Sequence, residues 1–348
     1  MTEPADLFSQ QQSNRSRSNW LIVGFVLFFA WLGFGGDLIL LEMSRGEPAG
    51  SQWDIPLFGL TLTAYAVVTT LWAWHAGSRA VLRSTGANEI TQATTEQERL
   101  LVNVVEEMCV AAGMRRPSIW IIADGDPNAL ATGRDEHTAA IAVTQGLLDI
   151  CTRDELQAVV AHELAHIQNY DARLMTLLAA MVGAVTVVSE YMHRILFQRG
   201  TQRALGAVVP RGRKKGGGIF IVLLLVLWLI SWLLAPLITR LLALGVSRKR
   251  EFLADAMSAQ FTRNPMALAS ALEKIERAAA PTRCITQGAA HLCIADPLGR
   301  RVNLREGRMA DLWGTHPPMA VRVSRLRGMA FREQKRARQA SGEVAQLA

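Results

Sequence analysis

Four apolar runs dominate the hydropathy pattern of the chain. Residues 20–36 give 17 positions without a charge, and residues 57–74 give 18. Both lengths are enough for a helix to cross a bilayer. Residues 174–189 form a shorter run of 16 positions, and residues 219–238 form one of 20. The pattern therefore predicts a mainly α-helical integral membrane protein with about four transmembrane helices.

Basic residues at the ends of these runs predict the orientation in the membrane. Arg15 and Arg17 precede the first run, and Arg79 and Arg83 follow the second. Because positive flanks favour the cytoplasm, we expect the N-terminus and everything after Arg79 to be cytoplasmic. The loop 194–217 carries seven basic residues and no acid, and it would break this rule if the third run crosses fully. A hairpin of runs three and four that does not fully cross is the alternative.

The polar stretch between the second and third runs has the pattern of a soluble α/β unit. Thr95 to Glu98 and Thr152 to Glu155 have the spacing of capping boxes, which start helices. Residues 118–123 and 139–143 are short β-prone runs separated by turn-forming residues. The second capping box opens the helix that carries the candidate chemistry described below.

These patterns predict a division of the chain into alternating membrane and cytoplasmic parts. The parts are a cytoplasmic tail (1–18), helices 1 and 2 (19–77), a first cytoplasmic part (78–172), helices 3 and 4 with the basic loop (173–246), a second cytoplasmic part (247–338) and a disordered tail (339–348).

The composition supports the interpretation of the chain as a membrane protein and narrows the classes of function. The chain has 348 residues, 50% of them hydrophobic, and a mean hydropathy of +0.17. The net charge of +7 is compatible with nucleic acid, anionic lipid or cytoplasmic flanks of membrane helices. No nucleic-acid-binding motif accompanies the basic residues, so we expect a lipid bilayer as partner and no nucleic acid. The four cysteines lack C-x-x-C spacing, which argues against a zinc knuckle.

The segment His162-Glu163-Leu164-Ala165-His166 is the most specific chemical signal. Histidines four apart lie on one face of a helix, so both imidazoles can reach one metal ion. Glu163 lies beside that face and can take a proton from a water molecule held by the metal. The alternative is an amphipathic helix that carries two histidines by chance.

A catalytic zinc site usually has three protein ligands, so a third is needed. The metzincin pattern is excluded because Asn169 and Ala172 stand where it requires Gly and His. Glu251, on a helix after the fourth run, is the best candidate. Asp255 lies one turn further and can accept the free N–H of a ligating imidazole. Asp171 is the rival, as a ligand, a helix cap or a partner of a ligating histidine.

Four motifs follow one another along the chain, at residues 127–133, 161–171, 248–255 and 315–318. Together they resemble the HtpX-type membrane zinc metalloproteases, heat-shock-associated proteases of bacteria that are related to the CAAX prenyl endopeptidases. The resemblance covers residues 15–330. It implies a multi-pass protein of the bacterial inner membrane with a cytoplasmic, gluzincin-like α+β protease domain and a small sheet.

The resemblance also implies a role for each site residue. Zn²⁺ would be bound by His162, His166 and Glu251, with Glu163 as general base. His316 would stabilise the oxyanion. An edge strand would align the substrate backbone through Asn128, Ala129, Leu130 and Ala131. Leu130 departs from the pattern, because the family usually has an aromatic residue there.

The implied substrates are peptides and damaged or misfolded membrane proteins, cleaved at the cytoplasmic face in protein quality control. Two alternatives belong to other classes. A catalytically silent zinc-binding membrane scaffold would keep the metal without proteolysis. A polybasic binder of anionic lipid or nucleic acid would show salt-sensitive binding that survives removal of zinc.

Overall fold

A computed structural model describes residues 7–44, 55–198, 222–234, 248–278, 282, 284–285, 292–295 and 317–347. Two sequence predictions lie outside these residues. They are the oxyanion role of His316 and the basic loop from residue 199 onward.

The described part of the chain is mainly helical, as its pattern predicts, with one small sheet. Its residues fall into two compact units, one within residues 1–15, 76–176 and 243–348 and another within residues 16–75 and 177–242. The helices of the described residues are α1 (Leu7–Ser44), α2 (Leu57–Ser84), α3 (Glu96–Ala112), α4 (Gln145–Ile150), α5 (Arg153–Gln168), α6 (Asp171–Gln198), α7 (Val222–Leu234), α8 (Arg248–Thr262), α9 (Pro265–Arg277) and α10 (Met319–Leu347).

Three of these helices contain stretches long and apolar enough to cross a membrane: Ser9–Glu42, Leu57–Ser84 and Asp171–Glu190. The first two contain the runs predicted as helices 1 and 2, and the third contains the run of 16 residues. The fourth predicted run is represented in the described residues by the shorter apolar helix α7. The described residues therefore hold three candidate spans rather than about four.

The unit of residues 16–75 and 177–242 has an aromatic core and a polar anchor. Phe25 and Phe29 of α1 pack with Met181 and Val185 of α6. Asp37 of α1 accepts hydrogen bonds from the backbone N–H groups of residues 58 and 59, at 3.2 and 2.6 Å. These N–H groups have no partner within the helix because they lie in the first turn of α2. The carboxylate therefore fixes the start of α2 against α1.

The other unit contains a four-stranded sheet of order β1-β2-β4-β3. Its strands are β1 (Asn88–Glu89), β2 (Ser118–Ile122), β3 (Ala129–Thr132) and β4 (Ala140–Thr144). The strands β2 and β4 are parallel and match the two β-prone runs, whereas β3 pairs with β4 antiparallel and lies at an edge. Gly133 ends β3 at φ 127°, where a Cβ atom would lie 2.6 Å from the Cα atom of Ala139. Only glycine tolerates this turn.

Both predicted capping boxes are confirmed. Thr95 starts α3 and Thr152 starts α5, each with a reciprocal bond to the glutamate three residues later. The helix α5 is buried along most of its length, with the side chains of Leu156, Val160 and Leu164 fully inaccessible or nearly so. A capped and packed α5 gives the residues near its C-terminal end a rigid frame.

The C-terminal part consists of three helices in the described residues. Asn264 separates α8 from α9 and caps α9 ahead of Pro265. The helix α10 continues to Leu347, through the stretch for which a disordered tail (339–348) is predicted. The stretch 332–347 has no proline and is rich in Ala, Gln, Glu and Arg, which favour the helix.

Glu155 ties the start of α5 to α9, which predicts a pH-dependent loss of stability on its substitution. Its carboxylate accepts bonds from Thr152 N–H, Ser270 Oγ and Lys274 Nζ, at 2.7, 2.6 and 2.7 Å. Burial raises the pKa of Glu155, but these three bonds outweigh it and hold the pKa below the ordinary 4.5. We expect Glu155→Gln to lower the free energy of unfolding near neutral pH by about 1–3 kcal/mol.

A carboxyl whose pKa is lowered by folding stabilises the protein above its unfolded pKa and loses that effect as the pH falls through its folded pKa. Thermal denaturation of the detergent-solubilised protein should therefore show a lower melting temperature for Glu155→Gln near neutral pH. The difference from the wild type should disappear below the lowered pKa of Glu155. An equal difference at both pH values would contradict the assigned interaction.

Candidate active site

The helix α5 carries three side chains of the predicted site into a buried position. His162 and Glu163 are 0% and 1% exposed, and the side chain of His166 is 15% exposed. The two imidazole rings are perpendicular, with centroids 4.7 Å apart. Their Nε2 atoms are 3.1 Å apart. The spacing of four residues therefore brings one nitrogen of each ring to a common point, as the motif predicts.

The helix α8 brings Glu251 to the same point. Its carboxylate oxygens lie 3.7 Å from Nε2 of His162 and 3.6 Å from Nε2 of His166. Ala254 and Met257 pack α8 against Ala165 of α5. These contacts unite residues that are far apart in the sequence.

The donor set fits a divalent zinc ion. Among the described residues, one group of histidine, cysteine or acidic side chains has its ligand atoms within 4.8 Å of one another, and its members are His162, His166 and Glu251. Tetrahedral ligands at zinc bond lengths of about 2.0–2.1 Å are about 3.3 Å apart, close to the separations observed here. Two imidazole nitrogens and one carboxylate are also the ligand types of many catalytic zinc sites.

Each imidazole has a carboxylate at its other nitrogen. Nδ1 of His162 lies 3.1 Å from Oδ1 of Asp255, and Nδ1 of His166 lies 3.2 Å from Oδ2 of Asp171. Such a carboxylate favours the tautomer with the proton on Nδ1, which leaves Nε2 free for a metal. Asp171 thus contacts the ring nitrogen of His166 that faces away from the cluster. This geometry fits a partner of a ligand better than the rival role as a ligand.

The electrostatics of the site reflect this crowding of charges. Burial lowers the pKa of His162, but the carboxylates of Asp255 and Glu251 outweigh it and raise the pKa to about 9. Burial raises the pKa of Glu163 above its ordinary value. Neither carboxylate oxygen of Glu163 has a hydrogen-bond partner among the described residues. A buried carboxylate without such a partner is costly, and it is commonly found where a ligand completes the site.

Arg322 is a member of this cluster that the sequence analysis missed. Its guanidinium is 0% exposed and binds both oxygens of Asp255, at 3.0 and 2.7 Å. Its Nη1 also donates to the carbonyl of Ile294 and lies 3.6 Å from Glu251. A signal was present in the sequence, because Arg322 shares the helix face of the buried Met319 and Leu326. A single arginine in an apolar stripe of a helix indicates a buried ionic partner.

Replacement of Arg322 by lysine should destabilise the protein while keeping the charge. A lysine ammonium cannot reproduce the planar pair of hydrogen bonds to Asp255. We expect Arg322→Lys to lower the free energy of unfolding by about 2 kcal/mol. A matched control is Arg327→Lys in the same helix, because Arg327 pairs with Glu273 at the surface and should change stability little. Equal melting temperatures of the two variants would contradict the role given to Arg322.

The strand predicted to bind the substrate is buried, and another segment of the same chain lies beside it. Asn128 to Ala131 are 0–3% exposed. Leu130 forms an isolated antiparallel bridge with Cys293, and the N–H of Ile294 donates to the carbonyl of Ala129 at 2.9 Å. The Asn128 side chain binds the backbone of Ala295. The segment Leu292–Ala295 thus occupies part of the β3 edge, and nothing in the sequence pattern predicted this contact.

A cavity lies between β3 and the histidine and glutamate cluster. Ala131 of β3, Glu163, His166 and Glu251 contribute to its wall, and Leu292 and Cys293 close another part. The carboxylate of Glu163 thus lines a space beside the candidate metal position. The role of His316 at this cavity stays a prediction, since that residue lies outside the described part of the chain.

Comparison with known proteins identifies the family of the chain. The family model for peptidase family M48 matches residues 95–330. Curated relatives are HtpX protease homologues. The protein of Thermoanaerobacter pseudethanolicus is 38% identical over 276 residues, which cover 79% of this chain and 86% of that protein. The protein of Dictyoglomus turgidum is 34% identical over 331 residues, which cover 95% and 97%. That of Streptococcus gordonii is 33% identical and covers 93% and 100%.

Among solved structures, S. mikatae Ste24p aligns with a TM-score of 0.43 and 16% identity, and the match covers 88% of this chain and 66% of that chain. The HtpX relatives and the three candidate membrane helices together indicate a membrane protein. The resemblance seen in the motifs is thus confirmed over most of the chain. The chain belongs to peptidase family M48, a family of metal-dependent proteases, and is similar to HtpX protease homologues over 79–95% of its length.

Proposed function

We propose that this protein is a membrane-embedded zinc endopeptidase that hydrolyses peptide bonds in membrane proteins. The proposal rests on the convergence of His162, His166 and Glu251 beside Glu163. The carboxylate of Glu163 is buried and has no hydrogen-bond partner among the described residues. Membership of a metalloprotease family supports the same activity. A zinc ion held by the three side chains would polarise the scissile carbonyl and lower the pKa of a water molecule at the site to about 7.

In this proposal Glu163 moves the protons. Its carboxylate accepts a proton from the attacking water as the oxygen bonds to the carbonyl carbon. It then gives that proton to the amide nitrogen as the C–N bond breaks, so that the amine leaves neutral. The carboxylates of Asp255 and Asp171 keep His162 and His166 in the tautomer that binds metal.

Substrate binding is proposed at the edge of β3. An extended peptide that pairs with Asn128 to Ala131 would run along the cavity next to Glu163, as in strand addition. Because Leu292–Ala295 already contacts this edge, the proposal requires that segment to shift or to share the edge with the substrate. His316 is proposed to stabilise the oxyanion from the segment that precedes α10.

The membrane helices support a membrane-protein substrate. The candidate span that starts at Asp171 closely follows α5 in the chain and would therefore tether the catalytic unit, the one that contains α5 and α8, to the bilayer. By the positive flanks of the first two spans, we place the catalytic unit at the cytoplasmic face of a bacterial inner membrane. Damaged or misfolded membrane proteins with exposed loops are the proposed substrates, in protein quality control.

Proteolysis with and without zinc tests the proposed function. The purified full-length protein in detergent should cleave a model membrane protein with an unfolded cytoplasmic loop, lose the activity with a chelator and regain it with zinc. A zinc-loaded, folded protein that cleaves neither this substrate nor an unfolded soluble protein would contradict the proposal and favour the silent scaffold.

A further inference from the structure

The first turns of α1 lie against the C-terminal end of α5, the helix that carries His162 and His166. Asn14 is 0% exposed, although it precedes the apolar run of the first candidate span. Its Nδ2 donates to the carbonyl of Asn169 at 2.9 Å and to Oδ1 of Asp171 at 2.7 Å. Residues 1–15 belong to the same compact unit as α5, so these contacts lie within one unit. An amide side chain from the N-terminal helix thus reaches the turn that follows α5.

Asp171 is the carboxylate that contacts the candidate ligand His166. Its Oδ2 lies 3.2 Å from Nδ1 of His166, whereas its Oδ1 accepts from Asn14 and, at 3.3 Å, from Nη1 of Arg250. Asp171 is 2% exposed. Asn14 and Arg250 therefore hold one oxygen of the carboxylate, and this leaves the other oxygen for the imidazole.

Asn14 and Arg250 approach Asp171 from different helices, and Arg250 cannot replace Asn14 in orienting the carboxylate. Arg250 lies next to Glu251 in the sequence and approaches Asp171 from α8, with a longer contact than that of Asn14. Without the amide of Asn14, the carboxylate is free to rotate and offer both oxygens to the guanidinium, which is a favourable geometry for arginine. Rotation would take Oδ2 away from His166 and leave the tautomer and orientation of that ring unfixed.

Two neighbours of Asn14 dock the same helix without touching Asp171. Nε2 of Gln11 donates to the carbonyl of Gln168 at 2.9 Å. The guanidinium of Arg15 lies 4.2 Å from the ring centroid of Tyr170. Docking of α1 and orientation of Asp171 are therefore carried by different side chains, and substitutions can separate them.

We propose that Asn14 is a positioning residue of the metal site, acting on His166 through the carboxylate of Asp171. The inference rests on the proposed function, because it takes His166 to be a zinc ligand. It assigns to the N-terminal helix, which continues as the first candidate span, a part in setting the metal affinity of the catalytic unit. The effect should equal that of losing an outer hydrogen bond to a ligand, about a 10- to 100-fold weaker zinc affinity.

The test compares zinc dissociation constants of full-length variants in detergent, measured by competition with a chromophoric chelator. Asn14→Ala and the isosteric Asn14→Asp should both bind zinc about 10- to 100-fold more weakly than the wild type. Asn14→Asp keeps the shape of the side chain but puts an acceptor where Asp171 needs a donor. Gln11→Ala, the matched control, should bind zinc as the wild type does. The melting temperature of each zinc-free variant reports docking separately.

Asn14→Ala combined with Asp171→Asn should bind zinc no more weakly than Asp171→Asn alone, because Asn14 acts through that carboxylate. The inference is overturned if Asn14→Asp retains wild-type zinc affinity, or if Gln11→Ala weakens zinc binding as much as Asn14→Ala. His166→Ala distinguishes this failure from that of the proposed function. If His166→Ala also binds zinc normally, His166 is not a ligand and the zinc site itself is wrong.

Discussion

Glu163→Gln should lower kcat/KM for peptide hydrolysis by about 10²- to 10⁴-fold and leave zinc binding intact. Glutamine has nearly the same shape as glutamate, but it cannot accept the proton of the attacking water. The side chain is 1% exposed and does not belong to the group of candidate ligand atoms. Its loss should therefore remove the proton transfer without opening the metal site. Initial rates of peptide cleavage and zinc content by atomic absorption measure the two effects.

Glu155→Gln provides a matched control in the same helix. It also replaces a buried carboxylate of α5, but Glu155 bonds to Ser270 and Lys274 and does not contact the histidines. Below its melting temperature this variant should cleave at the wild-type rate. A Glu163→Gln protein that retained the wild-type rate would show that another group acts as the base.

Glu251→Ala should lose zinc, and with it proteolysis. The substitution removes one of three candidate ligands and leaves two imidazoles whose Nε2 atoms are 3.1 Å apart. Loss of an outer partner of a ligand weakens a metal site by about 10- to 100-fold, so removal of a ligand itself should exceed that range. The zinc dissociation constant, measured by chelator competition, should therefore rise by more than about 100-fold.

A surface glutamate supplies the control for this prediction. Glu273 pairs with Arg277 and Arg327 at the outer face of α9. Glu273→Ala should leave zinc affinity unchanged and alter stability only slightly, because exposed ion pairs contribute little. If Glu251→Ala bound zinc as tightly as Glu273→Ala does, the third ligand would have to be another residue.

The local parts of the site could be predicted from the sequence because they depend on helical spacing. A spacing of four residues from His162 to His166 is enough to align two imidazoles on one helix, and the capping box at Thr152 marks where that helix begins. The sequence ranked Glu251 above Asp171 as the third ligand, but it could not place either side chain, since their positions depend on how α8 packs on α5. The structure places Glu251 at the cluster and Asp171 behind His166.

Residues that act through long-range contacts left little trace in the sequence. Asn14 is separated from Asp171 by 157 positions, and a polar residue ahead of an apolar run has the pattern of a solvated flank. The segment Leu292–Ala295 has no strand periodicity, so its contact with β3 depends on tertiary packing alone. For Arg322 the one signal was its position on the helix face of Met319 and Leu326, and in a strongly basic helix this signal did not identify its partner Asp255.

The membrane spans were predicted from the length and hydropathy of the apolar runs, and the errors of that prediction have a physical reason. The runs at 20–36 and 57–74 form long helices because an uninterrupted apolar stretch satisfies its backbone internally. The charge-free run at 174–189 is part of a longer helix that starts at Asp171. The length of the run was therefore shorter than that of the third candidate span, Asp171–Glu190. The count of crossings and the side on which the catalytic unit lies stay predictions.

X-ray absorption at the zinc edge of the purified, zinc-loaded protein tests the metal site most directly. We expect one zinc ion with two imidazole nitrogens and oxygen ligands at about 2.0–2.1 Å and no sulfur near 2.3 Å. The Glu251→Ala protein, at saturating zinc, should keep both imidazole contributions while its oxygen shell changes. Sulfur or fewer than two imidazoles around the zinc, or a spectrum that Glu251→Ala leaves unaltered, would show that His162, His166 and Glu251 do not form the zinc site.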